Sequence, residues 1–230
     1  MNRPLAVARI QLVAWPTAIG WPLGILAIAF AVNLLVFAAI AGEPADATTG
    51  GQASIYVVFF VTYLQSVSQV FPFLSGLSVT RRAYFAGTAL LVLAQSVLFA
   101  LLLLLLLGVE IVSGGWGLGM DFFGIGYLRQ ENVVLQLAVY TVPFLAMGFL
   151  GMFLGVVFRR WGTNGMFALA LLVLAVLGAV VALVTWRQAW PTVGRWFVDT
   201  PPLAMVAGWP LVLAVLLAAL AYLGLRRTEP

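Results

Sequence analysis

Ala83-Tyr84-Phe85-Ala86-Gly87-Thr88-Ala89-Leu90-Leu91-Val92-Leu93-Ala94-Gln95-Ser96-Val97-Leu98-Phe99-Ala100-Leu101-Leu102-Leu103-Leu104-Leu105-Leu106-Leu107-Gly108-Val109 runs for 27 residues without a charge, between Arg82 and Glu110. A bilayer core needs roughly 20 apolar residues in a helix. In lipid every backbone N–H and C=O must be bonded within the helix or within a closed barrel. A barrel strand would alternate in polarity over about ten residues. The unbroken block Leu101 to Leu107 does not alternate, so this stretch reads as a membrane-spanning helix.

The same reading extends outward in both directions. Charged residues cut the chain into further uncharged runs at 10–42, 47–80, 132–158, 161–186 and 200–225. Each is long enough for one span and too short for two with a turn. The expected spans are about 16–41, 54–79, 84–109, 133–158, 163–186 and 203–225, six in all. Composition agrees. The chain has 230 residues, of which 64% are hydrophobic and 8% charged, with a mean hydropathy of +1.13. Globular domains carry about 25% charge, and a water-soluble fold of this size has too much surface to hide so much apolar area. The fold class is all-α integral membrane, a single transmembrane domain over 1–230.

The charges between runs alternate in kind. Arg3, Arg9, Arg81, Arg82, Arg159, Arg160, Arg226 and Arg227 fall on one side with Glu229. Arg129, Arg187 and Arg195 fall on the other with Glu43, Asp46, Glu110, Asp121, Glu131 and Asp199. The positive-inside rule places the first set, and both termini, in the cytoplasm. Ala39-Ile40-Ala41 has the form of a signal cleavage site, but the run before it is about twice a usual h-region, so it reads as a retained span. Arg3 to Trp15 is mildly amphipathic through Leu5, Val7, Ile10, Leu12 and Val13. An interfacial helix before Pro16 is the favoured reading, and the first turns of a tilted, over-long helix the other.

Several function classes fall away. There is no Cys and no His, which removes disulfides, thiol nucleophiles, Cys/His metal sites and histidine relays. There is no Lys, hence no Lys-bearing phosphate loop. No ionisable residue lies inside a run, whereas ion-coupled transporters carry such residues. Glu110 is expected at the outer interface. The pI near 10.0 comes from loop arginines and does not point to nucleic acid. Neither a catalytic constellation nor a metal site is legible.

Uncharged polar residues say more. Thr62, Gln65, Ser66 and Gln69 follow the i, i+3, i+4, i+7 spacing of one helical face. Such a face is expected to look at protein or water. Interhelical hydrogen bonding is the plainer account, and the lining of a translocation path or a dimer seam the sharper one. Asn33, Gln95, Gln136 and Tyr140 are isolated candidates, read as structural. Gly148, Gly151 and Gly155 suit close helix packing. The loops 110–131 and 186–202 are rich in aromatic residues. They read as interfacial anchors, or as a lid over an exit path.

The stretch Phe71-Pro72-Phe73-Leu74-Ser75-Gly76-Leu77-Ser78-Val79-Thr80-Arg81-Arg82-Ala83-Tyr84-Phe85-Ala86-Gly87-Thr88 resembles the turn between the second and third spans of small bacterial ABC-2 type transporter permeases. The chain is similar to that family in length, span number, cytoplasmic ends and N-terminal segment. The resemblance implies the transmembrane subunit of an ATP-binding-cassette exporter in the bacterial plasma membrane. Two ATPase subunits on separate chains would bind ATP and Mg, and a second permease chain would pair with this one. No cofactor is expected in this chain. The family's turn forms a short coupling helix that docks on the ATPase, here at about Ser75–Thr88. Thr80 would cap it, Arg81 and Arg82 would offer charge, and Tyr84 and Phe85 would anchor it. The family's short re-entrant helices before the last span have little room between Arg187 and Pro202. A non-transporting scaffold subunit and, further off, a secondary transporter are the other readings.

Overall fold

The computed structural model describes residues 3–13, 16–40, 49–76 and 79–226. Glu43, Asp46, Leu77, Ser78, Arg227 and Glu229, which entered the reading above, lie outside them. The described residues build α1 (Arg3–Val13), α2 (Trp21–Ala39), α3 (Ala53–Gln65), α4 (Phe71–Gly76), α5 (Arg81–Val112), α6 (Val133–Trp186), α7 (Trp190–Asp199) and α8 (Trp209–Arg226). Five stretches are long and apolar enough to cross a membrane: Ala18–Ala39, Ala53–Gly76, Arg81–Val112, Val133–Trp186 and Ala204–Arg226. They fall where the uncharged runs placed spans, with 133–158 and 163–186 joined in one element.

That joined element, α6, has 54 residues. At 1.5 Å per residue a straight helix of that length would measure about 80 Å. It is not straight. Gly162 has φ 60° and ψ −155°, a conformation essentially reserved for glycine. Phe153 and Leu172 line the same groove, although a straight helix would hold them nearly 30 Å apart. The chain therefore reverses direction at Gly162, just after Arg159 and Arg160.

Proline shapes three other helices in one way. A five-residue π-turn precedes each of Trp21-Pro22, Phe71-Pro72 and Trp209-Pro210, at Pro16–Gly20, Ser66–Val70 and Ala204–Gly208. Proline has no N–H to give the carbonyl four residues back, and its ring crowds that carbonyl. Widening the preceding turn relieves the conflict. Phe71 N–H accordingly donates to the Ser66 carbonyl and Trp209 N–H to that of Ala204, each five residues back. The helix from Ala53 to Gly76 is thus continuous but locally widened at Ser66–Val70, within its polar face.

The core sits between α3, α5 and the first half of α6, with α8 against α6. Phe59 meets Tyr63, Phe99 and Phe144 at ring distances of 4.9, 5.8 and 5.1 Å. Ala214, Leu217, Ala221 and Leu225 are the buried stripe of α8. Gly148, Gly151 and Gly155 act as their spacing suggests. A Cβ on Gly148 would stand 2.8 Å from Val92 Cγ1, and one on Gly155 would stand 2.7 Å from Val67 Cβ. One on Gly151 would overlap the Phe60 carbonyl oxygen. Gly151 and Gly155 let α6 lie directly on the helix of α3, and Gly148 seats it against both α3 and α5.

The bundle has two distinguishable ends. At one, Arg81 Nη1 donates to the Arg226 carbonyl at 3.0 Å, and Phe85 packs on Tyr222 at 5.0 Å. At the other, Thr49 N–H donates to the Asp121 carbonyl at 3.1 Å. The N-terminal helix α1 packs on α5, with Val7, Ala8 and Gln11 buried and Leu5 and Ile10 exposed. Of the apolar residues expected to face the interface, Leu5 and Ile10 are exposed and Val7 is covered by the bundle. Gln11 is buried because it finds hydrogen-bond partners there.

Candidate functional site

A cavity of about 310 Å³ opens where α1, α3 and α5 meet, lined mainly by Gln11, Thr62, Tyr63, Gln65, Ser66, Gln69 and Gln95 on its polar side. Ile10, Phe73 and Leu91 contribute apolar wall. All four residues of the expected polar face, Thr62, Gln65, Ser66 and Gln69, reach it. Gln95 joins them from α5 and Gln11 from α1. No acidic or basic side chain lines it.

Most of the polar wall is closed on itself. Gln11 Nε2 donates to Thr88 Oγ1 at 2.7 Å, and Ser66 Oγ donates to Gln11 Oε1 at 3.2 Å. Ser66 Oγ also pairs with the Tyr84 hydroxyl at 3.0 Å. Tyr63 OH donates to Gln95 Oε1 at 2.6 Å, and Gln95 Nε2 reaches the Ala18 carbonyl at 3.5 Å. Thr62 Oγ1 donates to the Val58 carbonyl at 2.9 Å. These bonds satisfy groups that would be costly if buried unpaired. Gln65 and Gln69 differ: among the described residues neither side-chain amide has a hydrogen-bond partner. Gln65 is half-buried and Gln69 exposed. Gln65 also faces a second groove with Trp21 and Val61.

The expected coupling turn has a different form. Among the described residues no separate short helix occupies 75–88. Helix α4 ends at Gly76, Val79 and Thr80 are non-helical, and Arg81 begins α5 itself. Thr80 does cap a helix, accepting from Ala83 N–H at 3.3 Å, but that helix is the 32-residue α5. Tyr84 is fully buried. Its ring packs on Phe71 at 4.8 Å and its hydroxyl meets Ser66, so it is an internal strut and presents nothing to a partner. Phe85 is half-buried against Tyr222. Arg81 caps the carbonyl end of α8, a favourable place for a cation. Arg82 is exposed.

At the opposite end, Glu110 is buried under the loop that follows it, only 2% exposed. It lies near the end of α5, and its partners are groups of the protein. Its carboxylate accepts from Trp116 Nε1 at 3.0 Å and from the backbone N–H groups of Phe122, Phe123 and Gly124 at 3.0, 2.9 and 2.7 Å. A carboxylate sits in a dry site when its lone pairs are filled in this way. The loop aromatics turn inward with it. Phe30 of α2 meets Trp116, Phe122 and Phe123 at 4.7, 5.3 and 5.8 Å. Trp116 holds φ 60°, kept there by bonds from its own N–H to Ser113 Oγ and from its indole to Glu110. This loop caps the bundle. The 186–202 segment instead forms the single helix α7, whose Trp190, Trp196, Phe197 and Val198 are exposed, as membrane-interface anchors are. Asn33, Gln136 and Tyr140 bond within the protein, to Ala29, Gln130 and Phe123.

Comparison with protein-family models, with curated proteins and with solved structures gives no match.

Proposed function

We propose that this chain is the transmembrane subunit of an ABC exporter in a bacterial plasma membrane. It would have six spans and cytoplasmic termini, and would move an amphipathic compound between itself and a second permease chain. The observation that carries the reading is the uncharged polar cavity between α1, α3 and α5, within apolar helices. Its lining contains no titratable carboxylate or cation with which to couple transport to an ion gradient, so the driving force must come from elsewhere. A separate pair of ATPase chains binding ATP and Mg supplies it.

The reversal at Gly162 supports counting α6 as two spans of 29 and 24 residues (133–161 and 163–186). The meeting of Arg81 and Arg226 supports placing those ends on one side, and the positive-inside rule makes that side cytoplasmic. ATP-driven closure of the partners would press on the turn before α5, and α5 would carry the movement to the cavity wall through Tyr84, Thr88 and Gln95. Arg82 is the residue of that turn best exposed to a partner, since Arg81 is engaged with α8.

Two measurements test the reading. Gentle purification from the native membrane with mass spectrometry should recover a stoichiometric chain carrying a Gly-x-x-x-x-Gly-Lys-Ser/Thr loop; isolation alone, under conditions that preserve other complexes, would remove the exporter reading. Charge reversal at Arg82 should abolish ATP-dependent efflux while insertion and thermal stability stay normal, and unchanged efflux would sink the coupling role. A non-transporting scaffold subunit is the second reading, favoured by residues 163–186, none of which is buried. Full activity of the assembly after Q65L/Q69L would select it.

A further inference from the structure

The cavity between α1, α3 and α5 separates two kinds of polar group. Gln11, Thr62, Tyr63, Ser66 and Gln95 already have partners within the protein. Among the described residues the amides of Gln65 and Gln69 do not. They stand four residues apart on one helix, hence side by side on one face. Each offers a carbonyl acceptor and an NH₂ donor. The turn that carries Gln69 is the widened one, Ser66–Val70, and such turns occur often at functional sites. Gln65 is half-buried and Gln69 exposed, so their donors and acceptors are open to a molecule that enters the pocket.

We propose that Gln65 and Gln69 are the recognition pair for a neutral ligand that carries amide groups on an apolar body, of the kind presented by cyclic or end-blocked peptides. The chemistry follows from the lining. An amide needs a donor and an acceptor next to each other, and Gln65 with Gln69 supplies both. Ile10, Val70, Phe73 and Leu91 supply the apolar contact. A cation or anion would be desolvated there with no opposite charge to meet, which is strongly unfavourable. The volume lies at the lower end of the ~300–1,000 Å³ range of ligand pockets, which suits a small molecule or the leading part of a larger one. This deepens the exporter reading and rests on it for its biological sense, but the binding itself needs no ATPase.

The test uses the full chain in phosphatidylcholine nanodiscs without nucleotide. Isothermal titration compares three probes from a panel built on Leu and Phe: neutral cyclic dipeptides, their N,N′-dimethyl forms, and the linear zwitterionic dipeptides. The cyclic forms should bind saturably. N-methylation, which removes the donors, should weaken binding at least tenfold, and the zwitterions should not bind. Q65L/Q69L should weaken the cyclic forms at least tenfold while an unchanged thermal unfolding midpoint shows that the fold is intact. Equal binding of methylated and unmethylated forms, indifference to Q65L/Q69L, or no saturable binding across the panel would each overturn the assignment. The chain has no cysteine, so Q69C provides a further check: near-complete Q69C–Q69C cross-linking in membranes would give the two amides to a second copy and overturn ligand recognition. Binding without a co-purifying ATPase leaves the site standing and removes the exporter. A bound ATPase without probe binding does the opposite.

Discussion

The two halves of α6 are both apolar and both contain small residues four apart, Gly151 with Gly155 and Gly178 with Ala182. Only the first is packed. Before Gly162 the helix buries Gln136, Tyr140, Phe144, Gly148, Gly151, Met152 and Gly155 among others, and after it none from 163 to 186 is buried. A Cβ added at Gly151 strikes the α3 backbone, while one added at Gly178 meets nothing within 4 Å. The contrast teaches that a small-residue pair permits close approach and does not cause it. In lipid there is no hydrophobic force to drive helices together. What fixes the first half is shape, together with polar contacts: Tyr140 OH donates to the Phe123 carbonyl at 2.8 Å, and Gln136 accepts from Gln130 N–H at 2.7 Å. Among the described residues the second half shows one such polar contact, Trp190 Nε1 donating to Thr185 Oγ1 at 3.2 Å near its end, and most of its surface is exposed.

Four substitutions probe this contrast. Gly151→Leu should be the most damaging, because the new side chain displaces the α3 backbone; a loss of about 3 kcal/mol is expected, the upper end of ordinary overpacking, read as a large fall in unfolding midpoint in detergent. A near-normal midpoint would mean that α3 and α6 are not in contact there. Glu110→Gln comes next. It keeps the shape but replaces a charged acceptor of several N–H groups with an amide that must turn donors toward donors. About 2 kcal/mol should be lost, and Trp116 fluorescence should shift as its indole loses its partner; an unmoved spectrum would dissociate the loop from Glu110.

Gly162→Ala tests the reversal. A side chain at φ 60° and ψ −155° is strained by about 1–2 kcal/mol, and the midpoint should fall accordingly. Loss of the reversal altogether would show as altered labelling of single cysteines placed beyond it. Gly178→Leu should change stability by less than about 0.5 kcal/mol, as at other sites without contacts. A large effect on the assembled complex, with none on the isolated chain, would identify this face as one covered by a partner.

Much of the fold was legible along the chain. The apolar runs, the charges between them and the glycines at 148, 151 and 155 are local properties, and a helix in lipid has little choice once about 20 apolar residues follow one another. The polar face of Thr62, Gln65, Ser66 and Gln69 was legible too, since periodicity alone defines it. Its meaning was not. Whether Ser66 is a strut depends on Gln11 and Tyr84, which are 55 and 18 residues from it. The π-turns had a visible signal, an aromatic residue followed by proline inside a span, that periodicity does not weigh.

Sequence by itself therefore determined that this protein is helical and that its helices suit a membrane. Tertiary structure alone decided that Tyr84 faces inward, that Gln11 is buried, that Glu110 holds the loop after α5, and that two of the amides at the cavity have no partner among the described residues. The physical reason is that hydropathy and helical period act over neighbouring residues. Hydrogen-bond satisfaction is a property of groups brought together from as far as 145 residues apart, as Arg81 and Arg226 are, and it exists only once the helices have packed.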